Sequence, residues 1–372
     1  MDIALEFPLD PDVIYLNHAA VAPWPARTAE AVARFAEENR HRGAQRYPAW
    51  SEVEQRLRER LQRLIGARSS DEIALLKSTS EGLSVVALGL DWRSGDNVVI
   101  PAQEFPSNRI VWEALAPLGV QVRSIDIAAS PDPEAALLAA IDGRTRLLSV
   151  SSVQFDSGLR LDLARLGRAC EDAEVLFCVD AIQSLGAVPL DVRAIRADFV
   201  VADGHKWLLG PEGIALFYCR RELLGTLRLH QFGWHMVEHL GDYDRRDWAP
   251  ASSARRFECG SPNMLGIHAL EASLGLLEDA GADLIYGNIM RNSEYLINFI
   301  GNNSDKYRLV TAPAESRHAG IVSFKLLHGD VHALHRRLQD AGVVCAVRSG
   351  ALRFSPHFHT PRETLERATA LL

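Results

Sequence analysis

Val175-Leu-Phe-Cys-Val-Asp180-Ala-Ile-Gln183 is followed a short way on by Phe199-Val-Val-Ala-Asp203-Gly-His205-Lys206-Trp207. Each segment opens with an apolar run that has no polar alternation, the pattern of a strand buried on both faces. The first run ends on an acid, and the second is followed closely by a lysine. In an open sheet of parallel strands, ligands bind outside the carboxyl ends, so Asp180 and Lys206 are expected on one rim. A buried carboxylate is costly unless paired, which suits Asp180 to a charged ligand group. The bland alternative is a strand-end aspartate that caps the next helix.

Working outward from these two runs, read as strands over Val175–Asp180 and Asp198–Ala202, similar runs occur at Ile73–Lys77, Asn97–Pro101, Val120–Ile125, Arg146–Ser151 and Ile214–Tyr218. Helical patterns lie between several of them, for example Asn108–Leu118 and Leu161–Glu171. Strands alternating with helices predict an α/β fold, a doubly wound sheet with crossover helices. After Tyr218 the pattern turns loop-rich. A long helical stretch then runs from about residue 262 to about Ile300, with Ser261 as its expected cap and Pro262 as its first residue. Beyond it, strands are expected at Gly320–Leu326 and Val343–Phe354, and helices at Val331–Ala341 and Thr360–Ala370. We therefore expect a large domain over 15–265, and a smaller one built from 1–14 and 266–372.

Composition narrows the function. The chain has 372 residues and a formal net charge of -8. Its densest basic stretches, Arg220-Arg221 and Arg245-Arg246, are too short to form a face for nucleic acid. Five cysteines, an odd number without CxxC spacing, imply neither a zinc knuckle nor a disulfide framework, and no metal is expected. No apolar stretch is long enough to span a bilayer and the start of the chain has no signal-like apolar region, so a cytoplasmic protein is expected. No GxGxxG follows the early strands, which speaks against a nucleotide-binding dehydrogenase.

The remaining motifs point to one kind of chemistry. An aromatic nitrogen heterocycle that must stay protonated needs a carboxylate, and a carbonyl cofactor held as an imine needs a lysine. Asp180 and Lys206 meet both needs, which is the requirement of pyridoxal 5'-phosphate. Gln183 is placed to hydrogen-bond the ring hydroxyl. Ser78-Thr79-Ser80-Glu81-Gly82 opens a helix after a strand, and free N–H groups at a helix start receive a phosphate. Read blandly, it is a capping box with Ser78 as cap and Glu81 reaching back. His205 beside Lys206 is a candidate to orient the phosphate or the imine. Phe105, in Gln103-Glu-Phe-Pro-Ser-Asn108, is either a ring-stacking aromatic or a core residue. Arg348 and Arg353 offer the fork that clamps a carboxylate. The apolar setting of Arg353 favours it for a substrate α-carboxylate over an ordinary salt bridge.

In order along the chain, Tyr15-Leu-Asn17-His18-Ala-Ala, Ser78-Thr-Ser-Glu-Gly, Val179-Asp180-Ala-Ile-Gln183, Gly204-His205-Lys206, Glu258-Cys-Gly-Ser261-Pro-Asn and Leu352-Arg353-Phe-Ser resemble the class V aminotransferase family. These are fold-type I pyridoxal-phosphate enzymes, among them cysteine desulfurases, isopenicillin N epimerase and kynureninase. The resemblance implies a mainly parallel seven-stranded sheet and a homodimer with composite sites at its interface. It implies that Lys206 forms the internal aldimine, that Asp180 pairs with the ring nitrogen, and that Gln183 contacts the ring oxygen. Thr79, Ser80 and His205 would hold the phosphate, helped by Ser261 of a second copy. Arg353 would take the substrate carboxylate, with Arg348, Asn17 and His18 also facing substrate.

Three departures from the family pattern stand out. Asp203 replaces a serine or threonine phosphate ligand, and would repel phosphate unless turned away or bridged. Phe105 replaces the stacking histidine of desulfurases. No cysteine lies between Arg348 and Arg353, where the desulfurase loop belongs, and Cys345 sits within a strand-like run. The expected activity is therefore on an α-amino acid through a quinonoid, as a C–S β-elimination lyase or a desulfurase-like enzyme without a cysteine nucleophile. An aminotransferase or an amino-acid epimerase is the alternative within the family; a non-catalytic binding protein is the alternative outside it.

Overall fold

The computed structural model describes residues 3–128 and 130–372. Seven strands form the large sheet: β1 (Ile73–Leu76), β2 (Asn97–Pro101), β3 (Gln121–Ile125), β4 (Thr145–Ser151), β5 (Leu176–Asp180), β6 (Phe199–Asp203) and β7 (Ala215–Cys219). Their spatial order is β1-β7-β6-β5-β4-β2-β3. Only β7 runs against its neighbours; the other pairings are parallel. The expected seven-stranded, mainly parallel sheet is thus the one found.

Why these runs lack alternation is clear from what covers them. One face of the sheet carries Leu148, Val150, Phe177, Val179, Val200 and Ala202 into one core. The other carries Leu147, Cys178, Phe199, Val201 and Phe217 into a second. Burying each large side chain contributes roughly 1.5–3 kcal/mol. Helix α1 (Ala26–Arg42), α2 (Tyr47–Ile65) and α6 (Met264–Ala280) pack together on the first side. On the second, α3 (Thr79–Gly89) lies so close to β6 that a Cβ at Gly82 would stand 2.6 Å from Val201 Cγ1. Two shorter helices, α4 (Ser107–Glu113) and α5 (Leu163–Asp172), take up the stretches expected to be helical.

Three expectations are corrected. The long helix begins at Met264, not Pro262: Asn263 Oδ1 accepts from Gly266 N, so Asn263 is the cap and Ser261 lies outside. It is also not continuous, because Gly281, at φ 81°, separates α6 from α7 (Ala282–Asn302). The single strand expected over Val343–Phe354 is broken as well. Val343–Val344 pairs in parallel with Ile14–Tyr15. The rest belongs to a four-stranded antiparallel sheet of β8 (Tyr307–Leu309), β9 (Val322–Leu326), β10 (Ala346–Arg348) and β11 (Ala351–Phe354), in the order β10-β11-β9-β8. Ser349 (φ 49°) and Gly350 (φ 71°) join β10 to β11, the positive angles that a two-residue hairpin demands.

All five cysteines are free. Cys170, Cys178, Cys219 and Cys345 are buried, and Cys259 is half-buried. Among the described residues no helix is long and apolar enough to cross a membrane.

Candidate active site

Parallel pairing brings the carboxyl ends of β2, β4, β5 and β6 to one rim. Asp180 ends β5 level with Ser151 of β4. It is 2% exposed, and its Oδ1 accepts from Ile182 N at 3.0 Å. Burial pushes its carboxyl upward, the neighbouring Glu104 adds to this, and Lys206 opposes it. Lys206 lies in the turn after β6. That turn is fixed by Gly204 N to Ile214 O and by Gly210 N to Gly204 O. The next residue, Trp207, is fully buried; its indole donates to Gln183 Oε1 at 3.0 Å, and His357 Nε2 meets its carbonyl at 3.1 Å. The lysine side chain is 9% exposed and makes no hydrogen bond or ion pair among the described residues. Its Nζ stands 5.7 Å from the centre of the Phe105 ring. Burial lowers its pKa, against the pull of Asp180.

Phe105 is therefore not a core residue. It is 41% exposed and packs edge-on against Phe155 at 5.2 Å. Gln183 is doubly held, since its Nε2 also donates to Ala19 O at 3.0 Å. An amide carries two N–H donors, so one stays free for a ligand.

At the start of α3, Ser78 Oγ accepts from Glu81 N, but Glu81 Oε2 accepts from Lys77 N. The glutamate thus reaches back one residue further than a capping box requires. Thr79 and Asp203 form a reciprocal pair: Thr79 N donates to Asp203 Oδ2 at 2.9 Å, and Asp203 N to Thr79 Oγ1 at 3.0 Å. Asp203 is accordingly bridged by a helix-start N–H, and it occupies one donor expected for phosphate. Its Oδ1 is 3.7 Å from His205 Nδ1, a buried atom with no hydrogen bond. Ser80 is exposed and donates to Ser107 Oγ at 2.8 Å, drawing together the starts of α3 and α4.

Arg353 is 1% exposed yet has no carboxylate partner among the described residues. Its Nη1 donates to Phe155 O at 2.6 Å, its Nη2 to Asn17 Oδ1 at 3.3 Å, and its Nε is unpaired. Burial, helped by Arg348, brings its pKa down to about 9. Arg348 is half-buried and donates to its own neighbour's carbonyl, Val347 O. His18 departs from expectation. Its ring is buried against His357 and His359 at 5.3 and 5.0 Å, with Nδ1 on Ser355 O, because the amino-terminal segment docks on the residues after β11. Ser261 is exposed and lines a separate cleft with Lys77, Glu81 and Cys259.

Sequence reading missed Glu104, Gln154 and Phe155. Glu104 is buried in the loop just past the end of β2, accepting from Ser151 N at 2.6 Å and from Gln154 Nε2 at 3.2 Å. The signal was available: Glu104 follows an apolar run much as Asp180 ends one. A second ionic group lies elsewhere, where Glu54, His235 and Glu258 converge. Arg58 stands among them, with Nη1 and Nη2 on Glu258 at 2.5 and 2.7 Å and Nη2 on Glu54 at 2.5 Å. The guanidinium takes the place a cation would need, so this is an ion-pair network.

A partnerless buried lysine beside an aromatic ring and a buried carboxylate, on the rim of a mainly parallel sheet, is the apparatus of a pyridoxal-phosphate enzyme. The model of the family described as Aminotransferase class-V matches residues 14–360, and the chain belongs to that family of pyridoxal-phosphate enzymes. It is 33% identical over 356 residues to a probable cysteine desulfurase of Methanothermobacter thermautotrophicus, covering 94% of this chain and 86% of the relative. A cysteine desulfurase of Escherichia coli K12 is 29% identical over 363 residues, with 93% and 86% covered. Among solved structures, the apo form of a cysteine desulfurase from Thermococcus onnurineus superposes with a TM-score of 0.88, at 26% identity over 99% of this chain and 96% of that one. A cystine C–S lyase bound to cysteine persulfide gives 0.90, at 24% identity and 97% of each chain, which speaks for the fold alone.

Proposed function

We propose that the chain cleaves the Cβ–S bond of a sulfur-bearing α-amino acid by β-elimination, with Lys206 as the proton-transfer group. The observation that carries this is the Lys206 amine: buried, partnerless, beside the Phe105 ring and lowered in pKa by burial. The residues fit the cofactor. Asp180 supplies a buried anion for the ring nitrogen, the spare Gln183 donor suits the ring oxygen, and the α3 start with His205 suits the phosphate. Bound there, pyridoxal phosphate would supply an electron sink for the pair left at Cα.

The chain's own residues would do the rest. Arg353, with Asn17 fixing its Nη2, holds the α-carboxylate. Phe105 shields one side of the reacting atoms from water. Lys206 takes the Cα proton, the released pair forms the Cα=Cβ bond, and the Cβ–S pair leaves with the thiolate, which takes up a proton. The enamine product loses ammonia to water and gives a keto acid.

Support for elimination over sulfur transfer comes from the thiols. The β10–β11 turn is only Ser349-Gly350, and Ser349 Oγ donates to Asp156 Oδ2 at 2.9 Å. Cys345 is buried and its thiol is pushed up to about 12, far from the thiolate a nucleophile needs. We further propose that the enzyme is a homodimer in which Ser261 completes the phosphate cradle of a second copy. Its exposure, and that of nearby Phe232, Trp234, Tyr243 and Trp248, supports this.

The test is to incubate holoenzyme with cysteine and cystine and follow keto acid, alanine and sulfide. Pyruvate with a borohydride-bleached yellow colour, both absent in Lys206→Ala, is the expected result. Alanine accompanied by a protein-bound persulfide would replace elimination with desulfuration.

A further inference from the structure

Among the described residues Arg348 and Arg353 stand side by side without acidic partners, in a chain where 48 acidic residues outnumber 40 basic ones. The register explains their closeness. Ala346 faces Arg353 and Arg348 faces Ala351, so both arginines project from the same face of the β10–β11 hairpin as diagonal neighbours. Cβ atoms in that relation are roughly 7 Å apart. Two guanidiniums that close repel each other. The hairpin holds them rigidly, pinned at its turn by Ser349 to Asp156 and at Arg353 by Phe155 O and Asn17.

Their shared face looks onto the active site. Arg353 grips the Phe155 carbonyl, the Phe155 ring packs on Phe105, and Phe105 lies beside Lys206 Nζ. Burial dominates the lowering of the lysine's pKa, and Arg353 and Arg348 both add to it. Only Asp156 offsets them at Arg353, and among the described residues it pairs with neither arginine; its oxygens accept from Ser157 N and Ser349 Oγ. One α-carboxylate satisfies the buried fork of Arg353. The half-buried Arg348, nearer solvent, is left over.

We infer that the substrate is dianionic: an α-amino acid whose sulfur substituent ends in a second carboxylate or comparable anion, received by Arg348. This rests on the elimination reading and deepens it. It makes Arg348 the specificity-determining residue of the site.

The test uses two thioethers of equal shape, S-(2-carboxyethyl)cysteine and S-isopentylcysteine, with the purified holoenzyme. Expected is a preference in kcat/KM for the carboxylate of at least about 20-fold, the size of a charge-assisted hydrogen-bond pair. Arg348→Ala should collapse the ratio towards unity, and Arg348→Lys should restore part of it. Dissociation constants read from the cofactor absorbance give the same ratio independently of turnover. A ratio near unity in the parent enzyme overturns the inference. So does an equal loss for both compounds in Arg348→Ala, which would mean that both arginines clamp one carboxylate. If both compounds bind with the expected ratio but release no pyruvate, elimination fails while the dianion site stands. If neither perturbs the cofactor spectrum, the dianion inference falls, and the elimination reading stands or falls on cysteine and cystine.

Discussion

Lys206 is held by its neighbours: the Trp207 indole donates to Gln183 Oε1, Gln183 Nε2 donates to Ala19 O, and His357 Nε2 meets the Trp207 carbonyl, while among the described residues the lysine amine is left free. An amine whose pKa is depressed by burial is neutral over a wider range, and only the neutral amine attacks an aldehyde. Apoenzyme mixed with pyridoxal phosphate should form its imine with a rate that climbs with pH and levels off well below the ordinary 10.5. A stopped-flow absorbance series would contradict this if the climb continued to 10.5. Asp180→Asn should retain the fold and lower kcat by about a hundredfold or more, because a neutral amide cannot hold the ring nitrogen protonated. Steady-state kinetics beside circular dichroism separates that loss from unfolding.

The histidines behave differently. His18 is fully buried and its pKa falls to about 4, chiefly through burial. His359 has both ring nitrogens unpartnered and lies flat on Phe7 at 3.4 Å. A group whose folded pKa is depressed binds protons more readily when unfolded. The stability it confers is present above about 6.5 and is lost as pH falls towards 4. Thermal unfolding should show Tm falling through that window. His359→Phe should soften the fall and raise stability by about 1 kcal/mol, by removing two unsatisfied buried atoms. An unchanged acid slope would assign the effect elsewhere.

Among the elements, the large-sheet strands were legible in the sequence to within a residue or two. Burial on both faces leaves a continuous apolar run, and no tertiary knowledge is needed to see it. The small sheet was less legible. Tyr307–Leu309 is a short edge strand with Arg308 exposed, and the Ser349-Gly350 turn hides inside a run that reads as one strand. Helix boundaries also escaped: Ser261-Pro262 makes a good start on paper, but Asn263 reaches the Gly266 N–H and wins. Of the site, the side chains of Asp180, Lys206, Gln183, Thr79, Phe105 and Arg353 could be picked out and do converge. Glu104 and Phe155 act through partners on other strands, and the burial of His18 depends on residues more than 300 positions away.

One connecting element offers a direct test. Gly158 has φ 74°, and a Cβ there would stand 2.5 Å from Ile321 O, which cannot yield. Gly158→Ala should destabilise the chain by about 2 kcal/mol or more and weaken substrate binding, because the same turn carries Phe155 and Asp156 beneath Arg353. Chemical denaturation together with KM reads both effects; a loss of stability with KM unchanged would detach the turn from the site.

At the scale of the whole molecule, Arg58 joins α2 to β1 and to the segment before α6, through Ile73 O, Glu54 and Glu258, while Glu258 accepts from Leu75 N. Three distant parts of the chain meet at one guanidinium. Arg58→Met would leave two buried carboxylates unpaired and should cost about 3–5 kcal/mol in urea denaturation. A loss under 1 kcal/mol would mean that water reaches the cluster.

Burial of four of the five thiols has a practical corollary. A maleimide dye added to the native enzyme should couple at Cys259 alone, giving a homogeneous single-label preparation without any mutagenesis. Because that sulfur lies two positions from Ser261, such a fluorophore would report by energy transfer or quenching whether two copies come together, and how fast they part on dilution.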